Sequence, residues 1–291
     1  MRPAPPVETA GRAVPVRVFL VMGVAVLAVS AAAPLVRLAE GVHPVSVGLW
    51  RTLGVGLLLL PAVRPVSRRD ALWTLLAGTF LALHFWAWFA SLAHTTVLRS
   101  TLLVTLNPVW TALVEWLGWK EPPQRAWWLG LGVAVPGVLL LAGGSDAGSA
   151  TLLGDALALL GGVFGSLYLL VGRRVRQRVG IASYAGLVSL AAALVLLPLA
   201  LLLQAPLWGY SGSAWLALLG LTLGPQLLGH NGFMYALKYV KASVTSIFIL
   251  LEPVGAALLA AVLFAEIPGV FEIIGGGLVL LGVGVASRAD R

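Results

Sequence analysis

The sequence predicts an all-α integral membrane protein with ten transmembrane helices arranged as two inverted five-helix repeats. Three observations support this: a very apolar composition, a one-sided distribution of basic residues, and two segments that match at a fixed offset. The 291 residues are 59% hydrophobic and 10% charged, with a mean hydropathy of +0.97. Soluble domains carry about 25% charged residues, so this composition excludes a soluble globular protein.

The predicted spans are apolar segments separated by charged residues or by Pro and Gly. A bilayer core about 30 Å thick requires about 20 helical residues to cross it, and runs such as 71–93 and 187–203 are long enough. No connection is long enough for a soluble domain. The spans are predicted at 18–37, 45–62, 71–92, 97–117, 126–142, 152–171, 182–203, 214–236, 242–263 and 269–286.

The basic residues predict the topology. Lysine and arginine collect in cytoplasmic loops, so the net charge of +8 indicates membrane orientation rather than a nucleic-acid partner. With a cytoplasmic N-terminus, 16 of the 19 basic residues fall on the inner side, which favours an even number of spans and a cytoplasmic C-terminus. They are Arg2, Arg12, Arg17, Arg64, Arg68, Arg69, Lys120, Arg125, Arg173, Arg174, Arg176, Arg178, Lys238, Lys241, Arg288 and Arg291.

The N-terminal apolar run has a second interpretation. It follows Arg12 and Arg17, and the tripeptide at 29–31 resembles a signal-peptide cleavage site. The same run completes the first repeat, so we predict that it is a transmembrane span.

Two segments of the chain match at an offset of 145 residues (252 − 107). TLLVTLNPVWTALVEWLGWKE (101–121) aligns with SIFILLEPVGAALLAAVLFAE (246–266), which places Asn107-Pro108 on Glu252-Pro253 and Glu121 on Glu266. Since five spans is an odd number, the second copy is inverted in the membrane, as in many transporters. The predicted parts are a cytoplasmic tail (1–17), repeat 1 (18–142), a periplasmic linker (143–151), repeat 2 (152–286) and a cytoplasmic tail (287–291).

Glu252 is the principal candidate for a functional residue. It lies about ten residues into its span, near the bilayer midplane at about 1.5 Å per residue. An acid at that depth is costly, so it is expected to face the bundle interior. Pro253, like Pro108, predicts a helix kink. Glu252 is therefore a candidate for the substrate cavity and for proton coupling; the alternative is a protonated acid that holds helices together.

Other polar and aromatic residues are predicted to line the same cavity. Histidine can bind protons or substrate, and aromatic faces suit apolar or cationic groups. Helix-to-helix hydrogen bonding is the competing interpretation for each of the polar ones. The substrate-cavity candidates besides Glu252 are His84, Trp88, Asn107, Tyr168, His230 and Tyr235.

Several charged residues receive other interpretations. Arg51 and Arg99 are expected near the outer face, either snorkelling or paired with an acid such as Glu40, or forming an external gate for carboxylates. Glu115 is expected to reach water at the inner end of its span and is assigned no function. The run RRVRQR (173–178) is expected to contact anionic lipid headgroups.

With these residues in view, the chain resembles the EamA-like ten-span exporters of the drug/metabolite transporter superfamily. The resemblance rests on RSTLLVTLNPVWTAL (99–113), LLEPVGAALLA (250–260) and GLWRTLGVGLLLL (48–60). The first span departs from the pattern, because no tryptophan precedes its small residues. The resemblance implies export of amino acids or other small metabolites across a bacterial inner membrane, a central cavity bordered by spans 1, 3, 4, 6, 8 and 9, and no cofactor.

The protein is therefore expected to be a secondary transporter that exports small metabolites, with amino acids as the first expectation. It is expected to work by alternating access, as a monomer or homodimer. A flippase for lipid-linked or other amphiphilic substrates is the alternative. An intramembrane enzyme would require clustered acids or histidines, whereas His84, His94, Glu115, His230 and Glu252 are scattered and the chain has no cysteine. No catalytic residue, metal site or nucleic-acid partner is predicted, and the expected partners are a small-molecule substrate and membrane lipids.

Overall fold

The computed structural model describes residues 14–95, 97–142, 151–264 and 269–286, and all its regular elements are helical. The predicted C-terminal tail, most of the N-terminal tail and linker, and Glu266 lie outside the described residues. The helices are α1 (Val16–Ser30), α2 (Ala32–Leu38), α3 (Pro44–Leu59), α4 (Arg68–Ser91), α5 (Val97–Val104), α6 (Asn107–Trp119), α7 (Arg125–Ala142), α8 (Leu152–Arg176), α9 (Ile181–Leu202), α10 (Gly212–Leu221), α11 (Asn231–Ala236), α12 (Ala242–Ile249), α13 (Glu252–Phe264) and α14 (Val270–Ala286). A 3-10 turn (Leu60–Ala62) follows α3, and a π-helical segment (Thr222–His230) joins α10 to α11.

The helices have the lengths and surfaces of a multi-pass membrane protein. In the described part of the chain, six stretches are long and apolar enough to cross a bilayer: Val16–Leu38, Pro44–Ala62, Arg68–Ser91, Leu152–Arg176, Ile181–Leu202 and Ala242–Leu259. Two further apolar stretches, Arg125–Leu140 and Ile273–Ala286, are shorter. Many leucines point outward, such as Leu202 and Leu216, and exposed aliphatic side chains in such numbers suit a lipid environment.

Four helical stretches are interrupted near the middle of the bundle. Ala31 separates α1 from α2, a two-residue turn separates α5 from α6, and another separates α12 from α13. The fourth interruption is the π-helical segment before α11. Pro108 and Pro253 each stand in the first turn of a new helix, where proline has no backbone donor to lose. The sequence predicted kinks at both prolines, and the structure has helix breaks just before them.

Helices α7 and α14 pack at close range through facing glycines. A Cβ atom on Gly130 would collide with the carbonyl oxygen of Gly282, and a Cβ atom on Gly282 would lie 2.5 Å from the carbonyl oxygen of Gly130. Gly137 faces Gly275 in the same way, and a Cβ atom on Gly137 would lie 2.7 Å from the carbonyl oxygen of Gly275. These positions have no room for a side chain, so small residues bring the two backbones together.

We expect Gly130→Val to destabilise the fold by about 3 kcal/mol, the upper part of the usual range for overpacked sites. The added side chain must displace backbone atoms of α14, which cannot rotate away as a flexible side chain would. The measurement is the thermal unfolding of the purified protein in detergent.

Gly132→Val is the matched control for this prediction. Gly132 lies on the same helix, and a Cβ atom there has no neighbour within 4 Å among the described residues. The substitution is chemically identical, so it separates the α7–α14 contact from helix propensity. Equal loss of stability in the two variants would contradict the prediction.

Buried ion pairs join the ends of several helices. Glu115 on α6 is fully buried, and one of its carboxylate oxygens accepts from Arg173 and from the backbone N–H of Ala242, each at 3.1 Å. Arg173 also pairs with Glu121 at 3.3 Å. Arg178 pairs with Asp70 at 2.5 Å.

Two of the sequence-based expectations about these residues were wrong. Glu115 does not reach water, because α8 places Arg173 over it. Within the run at 173–178, Arg173 and Arg176 are buried, and Arg176 donates to the carbonyl oxygen of Met234 at 3.0 Å. These two arginines therefore hold helices together and do not contact lipid headgroups.

Candidate functional site

A small central cavity lies where the interrupted helices meet. Its volume is about 40 Å³, which is room for a few water molecules, since one water requires about 10–15 Å³ of such space. The cavity is lined by Val29, Ala32, Arg51, His84, Trp88, Val104, Thr105, Asn107, Pro225, His230, Phe233, Ile249 and Glu252.

The lining comes from each of the four helix interruptions. Val29 and Ala32 flank the α1–α2 break, Thr105 lies in the α5–α6 break, and Ile249 lies just before the α12–α13 break. The π-helical segment contributes Pro225 and His230. Irregular backbone at membrane depth is tolerated where it lines a cavity or is buried in protein, and π-helical turns are frequent at functional sites.

Arg51 on α3 is the most unusual residue of the cavity. Its side chain is fully buried, and its Nε donates to the amide oxygen of Gln226 at 3.1 Å. The guanidinium carbon lies 4.3 Å from the centroid of the Phe85 ring, a cation–π distance. The sequence-based expectation of an outer-face position paired with Glu40 was wrong, because α3 packs on α9 and directs this side chain inward.

His84 on α4 lines the cavity with a fixed tautomer. Its Nδ1 lies 2.8 Å from the carbonyl oxygen of Gly161. A carbonyl only accepts, so Nδ1 carries the proton and Nε2 of the neutral ring is an acceptor. The close approach requires Gly165, where a Cβ atom would lie 2.9 Å from this nitrogen. Gly161 and Gly165 on α8 therefore set the orientation of His84.

An aromatic cluster forms the wall around the two histidines. The rings of His84 and His230 lie 6.1 Å apart, and Trp88 stacks on His84 at 6.1 Å. Phe85 meets His230 edge-on at 5.3 Å. The Nε1 of Trp88 is buried and has no hydrogen-bond partner in the described part of the structure. The wall thus offers both apolar faces and an unused donor.

Asn107 lines the cavity at the start of α6 and also ties that helix to α8. Two carbonyl oxygens, those of Val104 and Gly162, surround one end of its amide, which assigns the nitrogen to that end, where it donates to them at 2.6 Å and 3.0 Å. Ser166 donates to its backbone carbonyl oxygen at 3.1 Å. The side chain therefore satisfies the Val104 carbonyl group at the helix break and joins α6 to α8 through Gly162, which is a packing role alongside its place in the cavity wall.

Glu252 stands at the first position of α13 and faces the cavity. It is half-buried, and the backbone carbonyl oxygen of the same residue accepts from Ser30 at 3.3 Å. No hydrogen bond or ion pair holds its carboxyl group within the described ranges. The acid is thus available to a ligand, and its position is fixed by the backbone rather than by side-chain bonds.

The structure places Tyr168 and Tyr235 outside the lining of the central cavity. Tyr168 is buried directly behind the wall, with its ring 6.2 Å from that of His230 and its hydroxyl unpartnered among the described residues. Tyr235 packs against Tyr239 with ring centroids 5.3 Å apart, and it borders a separate apolar groove with Leu20 and Leu228. The other five candidates line the cavity together.

Sequence reasoning missed the cationic side of the site. Arg51 was expected at the outer face, as a snorkelling or acid-paired residue or as part of an external gate for carboxylates, and Gln226 was not noticed at all. Span 2 was not among the spans expected to border the cavity, yet α3 contributes Arg51. The available signal was the motif LWRTLG itself, in which an arginine stands inside an apolar span; such residues mark functional sites. No group of three or more His, Asp or Glu suited to a metal occurs in the described part of the chain.

Comparison with known proteins supports a single family. The sequence profile of the EamA-like transporter family matches residues 17–143 and again 152–288. The uncharacterized transporter YdfC of Bacillus subtilis (strain 168) is 27% identical over 251 residues, covering 84% of this chain and 82% of that protein. The uncharacterized transporter YyaM of the same organism is 30% identical over 209 residues, covering 70% of this chain and 68% of that protein.

A shorter relative and a solved structure add to this. A probable 4-amino-4-deoxy-L-arabinose-phosphoundecaprenol flippase subunit, ArnE of Klebsiella pneumoniae (strain 342), is 33% identical over 75 residues, covering 26% of this chain and 67% of that protein. A crystal structure superposes with a TM-score of 0.80, covering 95% of this chain and 99% of the other chain at 23% identity. That likeness concerns the fold alone.

Proposed function

This chain belongs to the EamA-like transporter family, and from that premise we propose that it is a secondary transporter that exports small metabolites, above all amino acids. Export proceeds by alternating access through the central cavity. The observation that carries the proposal is the cavity itself, where one buried cation and one free carboxyl group, Arg51 and Glu252, meet among four interrupted helices. These charges complement the two charges of an amino acid.

The proposal includes ten spans in two inverted repeats, 18–142 and 152–286. Helices α12, α13 and α14 each begin 145 residues after α5, α6 and α7 (242 − 97, 252 − 107 and 270 − 125). The two family matches fall on either side of residues 144–151. The glycine contacts between α7 and α14 exchange partners at the same offset, since 130 + 145 is 275 and 137 + 145 is 282. Matching bounds and exchanged contacts favour two copies related by a twofold axis.

Alternating access also fits the size of the cavity. Its volume of about 40 Å³ is far below the several hundred Å³ of typical ligand pockets. A metabolite therefore enters only when the helices separate on one side. The breaks at α5–α6 and α12–α13 supply the positions where helix halves tilt.

The orientation and the coupling ion are part of the same proposal. The protein lies in a bacterial inner membrane with both termini on the cytoplasmic side, the orientation that the loop charges favour. Glu252 carries the coupled proton, because its carboxyl group faces the cavity without a hydrogen-bond partner among the described residues and is free to exchange protons with whichever side is open. The proposed site consists of the five predicted side chains in the cavity lining, with Tyr168 behind them.

Counterflow in proteoliposomes tests this proposal directly. Vesicles that contain the purified protein and an unlabelled amino acid are expected to accumulate the labelled form, and a panel of amino acids identifies the substrates. Protein-free vesicles are the control. If no amino acid exchanges while the protein remains folded, the amino-acid assignment is wrong.

A flippase for lipid-linked or other amphiphilic molecules is the second candidate, favoured by the ArnE relative. An apolar groove of about 640 Å³ between α3, α4 and α9, bordered by residues such as Leu49, Leu194 and Leu197, has the character that an acyl or prenyl chain requires. Translocation of a fluorescent lipid-linked sugar, without exchange of free amino acids, would select this function over the first.

A further inference from the structure

Arg51 has two nitrogen atoms with no partner in the interior of the protein. Its Nη1 and Nη2 are buried, and neither makes a hydrogen bond within the described residues. Arg51 takes part in no ion pair within the described residues. A buried charge is costly unless it is paired, so this guanidinium is held ready for an anionic partner.

The rest of the side chain is fixed in a way that leaves only this edge free. Nε donates a hydrogen bond to the amide oxygen of Gln226, which is itself fully buried, and the guanidinium lies over the Phe85 ring. The remaining edge presents two parallel donors. Such a fork matches the two oxygens of a carboxylate in a bidentate pair.

The break that begins α6 favours an anion in the same place. The N-terminal end of this 13-residue helix borders the cavity through Asn107 and Thr105. The dipole of a helix attracts negative charge to its N-terminal end, and discontinuous helices in transporters present such ends to anionic substrate groups. The unpartnered Arg51 supplies the full positive charge that a helix end lacks.

We propose that Arg51 binds the carboxylate of the transported substrate, so that the substrates of this cavity are small carboxylates, and in particular α-amino acids whose ammonium group faces Glu252. This assignment rests on the proposed transport function and adds to it the group that the substrate must carry. A dipolar ligand supplies hydrogen-bond partners on both sides of the cavity at once, to Nη1 and Nη2 of Arg51 and to the Glu252 carboxyl group. An amine without a carboxylate leaves Arg51 unpaired.

Ligand binding to the purified protein in detergent tests the subsite without relying on transport. The rise in unfolding temperature with ligand concentration gives an affinity for L-alanine, L-alaninamide, propionate, ethylamine and methyl phosphate. We expect L-alanine and propionate to bind, and L-alaninamide and ethylamine to bind at least about tenfold more weakly, because they lack the bidentate charged pair.

Variants at Arg51 identify the group responsible. Arg51→Gln is expected to lose at least about tenfold in affinity for L-alanine and propionate, and Arg51→Lys, which keeps the charge but not the fork, to retain part of it. Arg64→Gln is the matched control, since Arg64 is exposed and outside the cavity lining. If Arg51→Gln does not fold, the comparison of L-alanine with L-alaninamide on the wild-type protein still decides the question.

The outcomes separate this inference from the proposed function. Equal affinity for L-alanine and L-alaninamide, or an unchanged affinity in Arg51→Gln, overturns the carboxylate subsite even if amino acids exchange in vesicles. Arg51-dependent binding of methyl phosphate without binding of propionate also overturns it, in favour of a phosphate-bearing substrate. Arg51-dependent binding of propionate with no amino-acid exchange supports the subsite and refutes amino-acid export.

Discussion

Glu252→Gln is expected to slow amino-acid counterflow at least about tenfold, which corresponds to about 1.4 kcal/mol of lost interaction, while leaving the fold intact. The substitution preserves size and removes the charge that is proposed to hold the substrate ammonium and the coupled proton. Folding is spared because the Glu252 carboxyl group makes no hydrogen bond within the described residues. The measurement is initial counterflow rate per folded protein, together with accumulation driven by an imposed pH gradient.

Glu40→Gln is the matched control for this prediction. Glu40 is exposed and lies outside the cavity lining, so the same chemical change there is expected to leave the rate unaltered. The pH-gradient response is expected to disappear in Glu252→Gln and to persist in the control. If Glu252→Gln transports at the wild-type rate, Glu252 is a packing residue and the proposed role fails.

Glu115→Ala is expected to have the largest effect on stability, about 3–5 kcal/mol, the usual cost of removing one partner of a buried ion pair. Its carboxylate is completely buried and accepts from Arg173 and from the first N–H of α12. Without it, the N–H of Ala242 loses its partner, and the buried guanidinium of Arg173 keeps only the more exposed Glu121. Thermal unfolding in detergent measures the loss.

Two further variants separate the Glu115–Arg173 pair from the second acid of Arg173, Glu121. Glu121→Ala removes the more exposed acid, whose side chain is 28% accessible, and is expected to cost less than about 1 kcal/mol. Glu115→Ala combined with Arg173→Met is expected to recover part of the stability, because the second change removes the uncompensated charge. A double variant less stable than Glu115→Ala alone would contradict this account.

The helical membrane architecture was readable from the sequence because apolar run length and composition decide it locally. The pattern at Asn107-Pro108 and Glu252-Pro253 likewise located the two helix breaks that border the cavity, since proline acts on its own turn. Five of the seven candidate side chains line the cavity. Polar residues deep in apolar spans have few other places to go.

Long-range packing decided the features that the sequence did not reveal. Arg51 turns inward because α3 packs on α9 and because Gln226 and Phe85 receive it, and none of these partners is near in sequence. The π-helical segment with Pro225 follows no local signal that was recognised. Tyr235 shares an aromatic run with residues of the site, yet its helix turns it toward another groove. Side-chain direction depends on helix rotation, which tertiary contacts set.

Alternating access through the central cavity is tested most directly by labelling one introduced cysteine from each side of the membrane. The natural chain has no cysteine, so Ala32→Cys, in the lining and 2% exposed, is the sole reactive site. Ala77→Cys, equally buried but packed in the core, is the control. In variants that still exchange substrate, we predict that a small membrane-impermeant thiol reagent labels position 32 from either side of the membrane. Addition of substrate is expected to change the labelling rate. Position 77 is expected not to be labelled. Labelling of position 32 from one side only, in a protein that transports, would contradict the account.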